Sequence, residues 1–427
     1  MSIYITILFL LVLFAARKMF SRYYLTPSGL LLGTWIVVLI LKSIFAADFY
    51  FSAEAAAYIS FFLFCFVLGE FLVSYATKDV VYFTSIDRLQ RTLARDDFKK
   101  KLSFVIFLTG LASIVGAIIY LKSFINHFGS LTNVLGAGWL LREAVLEGDV
   151  AVPLPVRMIL LINYSCIIFT LIYYLLYGFK VWLLLPYLSV LVMGVTQAGR
   201  AGTIMVLFQI FIVGFWKTNF NNITKRGIAT RIFNPDFSVL RKSVWLVAIV
   251  LALFVLGELY KSQSSIGDVG EAQVSTFKVY LFGGIAGFSY YLDHPEFPGF
   301  GLGKFSFSSI FDLLGLSKQE FGVYRTFVPL TDKTDDIGNI FTSFRPLMED
   351  FGIAGAAAFM LLLGSIAFLI YQKSIQGSLA ATAMCIVMYT YLFHTFLLPI
   401  TVHTSIVLSF FFPAGVLLFM QKIRFTR

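Results

Sequence analysis

The sequence predicts an all-α polytopic membrane protein of about eleven transmembrane helices, with one long, partly helical loop on its outer side. Three observations predict it. The 427 residues are 59% hydrophobic and only 13% charged, whereas soluble domains carry about 25% charged residues. Mean hydropathy is +0.86. Apolar runs recur along the chain at the length of about 20 residues needed to cross a hydrocarbon core. The basic residues fall on alternate connecting segments, as the positive-inside rule requires. This composition excludes a soluble enzyme, a disordered chain and a secreted disulfide scaffold.

The expected spans are 2–16, 25–47, 55–76, 102–121, 157–177, 181–196, 201–216, 243–260, 351–371, 379–399 and 404–421. The first is short and starts almost at Met1. It lacks a basic leader and a small-residue cleavage site, so it is expected to be an uncleaved anchor. The sixth and seventh form a tight hairpin, divided by Gln197-Ala198-Gly199-Arg200. The chain as a whole, 1–427, is expected to be a single integral membrane domain. Cys65, Cys166 and Cys385 each lie inside an apolar run. They are expected to be packed thiols, because no Cys/His spacing suggests a metal.

With the N-terminus outside and the C-terminus inside, the inner segments hold 21 Lys/Arg against five acids. The outer segments hold 11 against 17. The net charge of +10 is therefore a topology signal, and no nucleic-acid partner is expected. The main inner loops are 77–101 and 217–242. Within the first, Arg88, Arg91, Arg95 and Lys99–Lys101 are placed either in solvent or against anionic headgroups. The outer loops are 122–156 and 261–350. In the second, Thr276–Tyr291 and Phe305–Leu316 are too short to span and suit interfacial or re-entrant helices, which require protein or water around them. The run Gly299–Gly303 has no strand–turn–helix context and is not a dinucleotide fingerprint.

Depth sorts the ionisable residues. Lys42 and Glu70 fall at opposite ends of the second and third spans and are expected to snorkel. Arg157, Arg200, Glu258, Arg345, Glu349, Asp350, His394 and His403 all map near the outer boundary, and no comparable set lies at mid-membrane. That pattern disfavours an ion pathway, which needs charges along its length. It favours a reaction or binding centre at the outer leaflet. Arg200 and Arg345 suit a diphosphate, since the planar guanidinium gives paired charge-assisted hydrogen bonds. His403 is the first candidate for a catalytic base and Asp350 the second. Tyr290, Tyr291 and His294 are candidates for sugar contact. Each role has a structural rival. For Arg345 it is an ion pair with Glu349. For Asp350 it is a helix N-terminal acid. For His403 it is a ring satisfied by backbone, and for the tyrosines an interfacial belt.

Three stretches resemble the Wzy-type O-antigen polymerases, which join oligosaccharide repeat units. They are Thr196–Thr203, with its small residues and Arg200; Tyr280–Phe288 followed by Gly301-Leu302-Gly303; and Asn339–Gly352, with Arg345, Asp350, Phe351 and Gly352. They cover roughly residues 190–360 in matching order. An arginine–ten residues–glycine pattern described for some members is not met, since positions 211 and 356 are Phe and Ala. The resemblance implies a metal-independent glycosyltransferase of the multispanning C-type superfold, without a cofactor. It implies a multi-pass protein of the bacterial inner membrane, with the inner loops cytoplasmic and the outer loops periplasmic. The implied substrates are undecaprenyl-diphosphate-linked oligosaccharides, joined at the periplasmic face with release of undecaprenyl diphosphate. Membrane lipids and a polysaccharide chain-length regulator are the further expected partners. The rivals are an O-antigen ligase, which moves the finished chain to a lipid core, and a lipid-linked oligosaccharide flippase without chemistry. A non-catalytic assembly scaffold is a third. A flippase would show internal repeats and mid-membrane charges, and the sequence has neither.

Overall fold

The computed structural model describes residues 2–17, 26–77, 96–137, 140–141, 144, 149–150, 152–196, 201–226, 266–294, 300–316, 324, 326–333 and 336–422. The described chain is mostly helical. In order, the helices are α1 (Ser2–Ala16), α2 (Pro27–Phe45), α3 (Ala53–Ala76), α4 (Asp96–Phe128), α5 (Leu131–Gly136), α6 (Leu154–Leu161), α7 (Asn163–Tyr177), α8 (Leu185–Thr196), α9 (Ala201–Arg226), α10 (Ile266–Asp293), α11 (Ser308–Leu313), α12 (Phe344–Ile375), α13 (Leu379–His394) and α14 (Thr404–Lys422). One antiparallel pair, β1 (Val328–Pro329) and β2 (Ile337–Gly338), precedes α12.

Among the described residues, six helical segments are long and apolar enough to cross a membrane. They are Pro27–Phe45, Ala53–Ala76, Asp97–Phe128, Leu154–Tyr177, Phe344–Ile375 and Thr404–Gln421. Shorter apolar helices occupy Ser2–Ala16, Val181–Gly194, Ile204–Gly214 and Leu379–His394. The expected span 243–260 lies outside the described residues, as do 85–95 and 227–242 of the inner loops. The chain is thus a polytopic helical membrane protein. All three cysteines are buried.

The chain divides into two compact units: Met1–Val81 with Gly270–Gln372 and Met388–Thr404, and Tyr82–Val269 with Lys373–Val387 and Ser405–Arg427. In the second, α4 packs against α6, α7 and α8. The expected outer loop 122–156 is partly folded onto α4. Val134, Leu141, Val150 and Val152 share a buried cluster with Ala117, Tyr120 and Phe124.

In the first unit α2 starts at a Thr26 N-cap, whose hydroxyl accepts from Gly29 N–H, with Pro27 in the first turn. Both features are strong helix starts. Helices α3 and α12 approach closely at Gly69 and Gly364. A Cβ on Gly364 would lie 2.1 Å from the Phe66 carbonyl oxygen, and one on Gly69 2.0 Å from that of Leu361. Small residues let helix backbones meet in a membrane, where burial of apolar surface supplies no drive. Ser365 Oγ adds a hydrogen bond to the Gly69 carbonyl.

The snorkelling expected of Lys42 and Glu70 is corrected. Both are buried. Lys42 Nζ turns into the α2–α3 connection and donates to the carbonyls of Ala46 and Phe49, at 3.3 and 2.8 Å. Glu70 Oε2 accepts the Ser28 N–H at 2.8 Å, close to the buried Arg17, which donates to Thr26 Oγ1 at 3.1 Å. The α2–α3 connection and the first turn of α2 supply these side chains with partners that a lone helix could obtain only from water.

Candidate functional site

Unit 1 is organised around Phe344, the first residue of α12. Trp35 stacks on it at 5.4 Å, and Phe62 and Phe288 close in at 5.3 and 6.3 Å. The Trp35 indole N–H donates to Thr395 Oγ1, and Ser343 N–H donates to the Thr395 carbonyl. Helix α10 reaches this centre because Gly284 and Gly287 admit the backbones of Phe396 and Ile340. The start of α12 is therefore fixed by α2, α3, α10 and the residues that follow α13. Its next residue is Arg345.

Arg345 is enclosed by three rings. The guanidinium carbon lies 3.8 Å from the centroid of Tyr324, 4.0 Å from Phe341 and 4.4 Å from Tyr291. Cation–π contacts of this kind strengthen when desolvated, and the side chain is only 12% exposed. Nε donates to Glu349 Oε1 at 2.9 Å, and the Tyr324 hydroxyl donates to Glu349 Oε2. The ion pair named as the rival for Arg345 is thus present. Burial, and then the Glu349 charge, push the Tyr324 hydroxyl well above its ordinary range, so it stays a donor. Nη1 and Nη2 make no hydrogen bond among the described residues. Two buried hydroxyls just before the helix, Thr342 Oγ1 and Ser343 Oγ, also make none. Buried polar groups are seldom left so.

Asp350 has a different task from the one expected. Its carboxylate is fully buried and accepts two backbone N–H groups, from Phe305 at 3.1 Å and Ser306 at 2.6 Å. Gly352, two residues on, has φ of 65° and kinks α12 there. The carbonyls of Glu349 and Asp350 then accept from Gly301 and Leu302. Only glycine fits at 301, where a Cβ would lie 2.3 Å from Asp350 Oδ1. The expected role as a base gives way to a clamp on the 301–306 turn, because both carboxylate oxygens are engaged by amides.

His403 is exposed and follows a 3₁₀ turn, Ile400–Val402. That turn is tied to the same loop. Thr401 Oγ1 donates to the Ser306 carbonyl and Ser309 Oγ donates to the Thr401 carbonyl, both at 2.6 Å. His394, by contrast, is buried with Nδ1 on the Thr390 carbonyl. Tyr291 belongs to the arginine cage. Tyr290 and His294 stand apart from it, stacked at 4.3 Å near the C-terminal end of α10. Arg200 lies outside the described residues. The structure therefore joins Arg345, Tyr291 and the clamp at Asp350 with the His403 turn.

Glu349 was visible in the sequence as a boundary acid. Tyr324 and Phe341 were not singled out. Tyr324 lies in a polar stretch without periodicity, so no local signal marks it. Among the described residues, no group of three or more His, Cys, Asp or Glu is placed to hold a metal ion. No family model matches the chain, and neither curated proteins nor solved structures yield a match.

Proposed function

We propose that this protein is a metal-independent glycosyltransferase of the O-antigen polymerase type. It joins undecaprenyl-diphosphate-linked oligosaccharide repeat units at the periplasmic face of the bacterial inner membrane. The reading takes about eleven spans in the C-type arrangement, with a periplasmic N-terminus and a cytoplasmic C-terminus. The observation that carries it is Arg345. It is held rigidly at the first turn of α12, with Nη1 and Nη2 and the Thr342 and Ser343 hydroxyls making no hydrogen bond among the described residues. Those donors, with the positive end of the helix dipole, match a phosphate oxygen.

In this reading Arg345, with Arg200, holds the donor diphosphate and stabilises the charge that builds as it departs. Glu349 fixes the guanidinium by taking Nε. An acceptor hydroxyl attacks the donor's anomeric carbon. The carbon–oxygen bond to the diphosphate breaks, His403 takes the hydroxyl proton, and undecaprenyl diphosphate leaves. Asp350 positions the 301–306 turn beside the His403 segment and does not touch the reacting atoms.

Reconstitution tests the proposal. Purified protein in detergent receives the undecaprenyl-diphosphate repeat unit of its own host, with EDTA present, and products are separated on a gel. A ladder spaced by one repeat is expected, and it is lost in Arg345→Ala and Arg200→Ala at normal expression. Absence of a ladder with a substrate verified as active would overturn the polymerase reading. Transfer to a core acceptor or translocation in vesicles would then identify the ligase or the flippase.

A further inference from the structure

The aromatic residues outside the arginine cage form a second assembly, built from three distant segments. Tyr290 and His294, one turn apart near the end of α10, stack with centroids 4.3 Å apart and planes 18° from parallel. Tyr50, in the α2–α3 connection, joins them at 6.1 Å, tilted by 40°. Its hydroxyl donates to Asp332 Oδ1, 282 residues away. Asp332 lies in the connection between β1 and β2.

The assembly is positioned by backbone as well as side chains. Tyr50 N–H donates to the Leu330 carbonyl at 2.9 Å, beside the β1–β2 pair. Ser52 N–H donates to Ser289 Oγ at 3.2 Å, tying the same connection to α10. His294 Nδ1 lies 3.2 Å from the Tyr290 carbonyl, which sets the ring's orientation. The rings nonetheless stay open. His294 and Asp332 are exposed and Tyr50 and Tyr290 half-buried, whereas the adjacent Tyr291 is buried. The Asp332–Tyr50 bond engages Oδ1, and Oδ2 has no hydrogen bond among the described residues.

An interfacial belt explains tyrosines that stand singly around a helix bundle, each with its own hydroxyl in headgroups. It does not explain a stacked Tyr290–His294 pair with a third ring, Tyr50, tilted against it and bonded to a carboxylate across the chain. We propose that Tyr50, Tyr290, His294 and Asp332 form a carbohydrate platform that takes an uncharged pyranose ring. The apolar C–H face of such a ring lies on the aromatic surface, and its hydroxyls donate to the carboxylate. Rigid aromatic rings give this contact area at little entropic cost, and the one-sided polar group fixes orientation. The negative Asp332 disfavours acidic sugars. The platform rests on the proposed function only for the origin of its ligand, which would be the glycan part of the lipid-linked substrate.

Saturation-transfer NMR on the full-length protein in detergent tests it. The probes are the methyl glycosides of glucose, galactose, mannose, N-acetylglucosamine and N-acetylgalactosamine. Transfer to the ring C–H protons of at least one is expected. It falls at least fivefold in Tyr290→Ala and in Asp332→Asn, and persists in Gly415→Ala, a position in α14 with open space around it and no part in the platform. Tyr50→Phe keeps the ring but loses the carboxylate bond, and gives an intermediate signal. No transfer from any of the five, or transfer undiminished in Tyr290→Ala, overturns the platform. Transfer in a protein that builds no ladder on reconstitution leaves the platform standing and removes the polymerase reading. A ladder without transfer does the reverse.

Discussion

Replacing Asp350 by alanine separates a clamp from a catalytic base. The carboxylate accepts the Phe305 and Ser306 amides at 3.1 and 2.6 Å and is fully buried. Hydrogen bonds to a charged group contribute roughly 1.5–3 kcal/mol each. The substitution leaves both amides without an acceptor, and the burial cost of the carboxylate disappears in partial compensation. The expected loss is about 3–5 kcal/mol, the range found when one partner of a buried charged interaction is removed. The loss is local to the turn 301–306, so hydrogen exchange followed by mass spectrometry is the assay. At a factor of ten per 1.4 kcal/mol, the peptide covering 301–307 exchanges about two to three and a half orders of magnitude faster in Asp350→Ala. Peptides from α2 change far less. Asp350→Asn retains one acceptor oxygen and falls between the two. Unchanged exchange at 301–307 in Asp350→Ala, together with lost polymerisation, would refute the clamp and return Asp350 to the chemistry.

Four further outcomes follow from the local geometry. Arg345→Lys replaces a planar group facing three rings with a point charge. Ladder formation should fall at least tenfold at normal expression, and a fully active lysine variant would remove the guanidinium from the mechanism. Gly364→Val drives a side chain into the Phe66 backbone and should lower stability by about 1–3 kcal/mol or more. Gly415→Ala, with nothing within 4 Å, should be neutral or slightly stabilising in the same thermal unfolding measurement. The Tyr50 hydroxyl is pushed up to about 12, first by its bond to Asp332. Its folded value lies above the unfolded one, so its contribution is fully present below about pH 10 and lost between about 10 and 12. Absorbance of tyrosinate at 295 nm should show one late-titrating tyrosine fewer in Tyr50→Phe, and no change would place Tyr50 outside the Asp332 bond.

Much of the architecture was legible in the sequence because hydropathy is a local property. A run such as 55–76 must find apolar surroundings over its whole length, so its place needs no knowledge of partners. The structure gives helices at the expected runs within the described residues, including the short Ser2–Ala16. The stretch Thr276–Tyr291 is too short to span by sequence, and the helix that holds it is not among the six candidate spans. It lies within the 28-residue α10. Its glycines serve close approach to residues 340 and 396, which are remote in sequence.

The site was legible by type and not by role. The sequence brought Arg345, Glu349 and Asp350 to one boundary, because charge is expelled from the apolar runs. It could not say which of them faces another side chain, which caps a turn and which remains open. Those outcomes rest on segments brought together over long separations. Asp350 meets the amides of 305 and 306 because Gly301 admits its oxygen and Gly352 kinks the helix beside it. Arg345 is caged because Tyr324, Tyr291 and Phe341 arrive from three directions. Lys42 and Glu70 are buried where the α2–α3 connection and the first turn of α2 offer them hydrogen bonds.

By itself the sequence determined that this chain lives in a membrane, where most of its described helices run, and that polar residues collect at the ends of its apolar runs. All three follow from the free energy of moving each residue out of water, which depends on the residue and its near neighbours alone. Only the tertiary structure decided that one arginine is held by rings, that one aspartate is a clamp, and that Tyr50 and Asp332 meet Tyr290. Hydrogen bonds and ring contacts act over a few ångströms between groups hundreds of residues apart. Which groups share that space is a property of the packed chain.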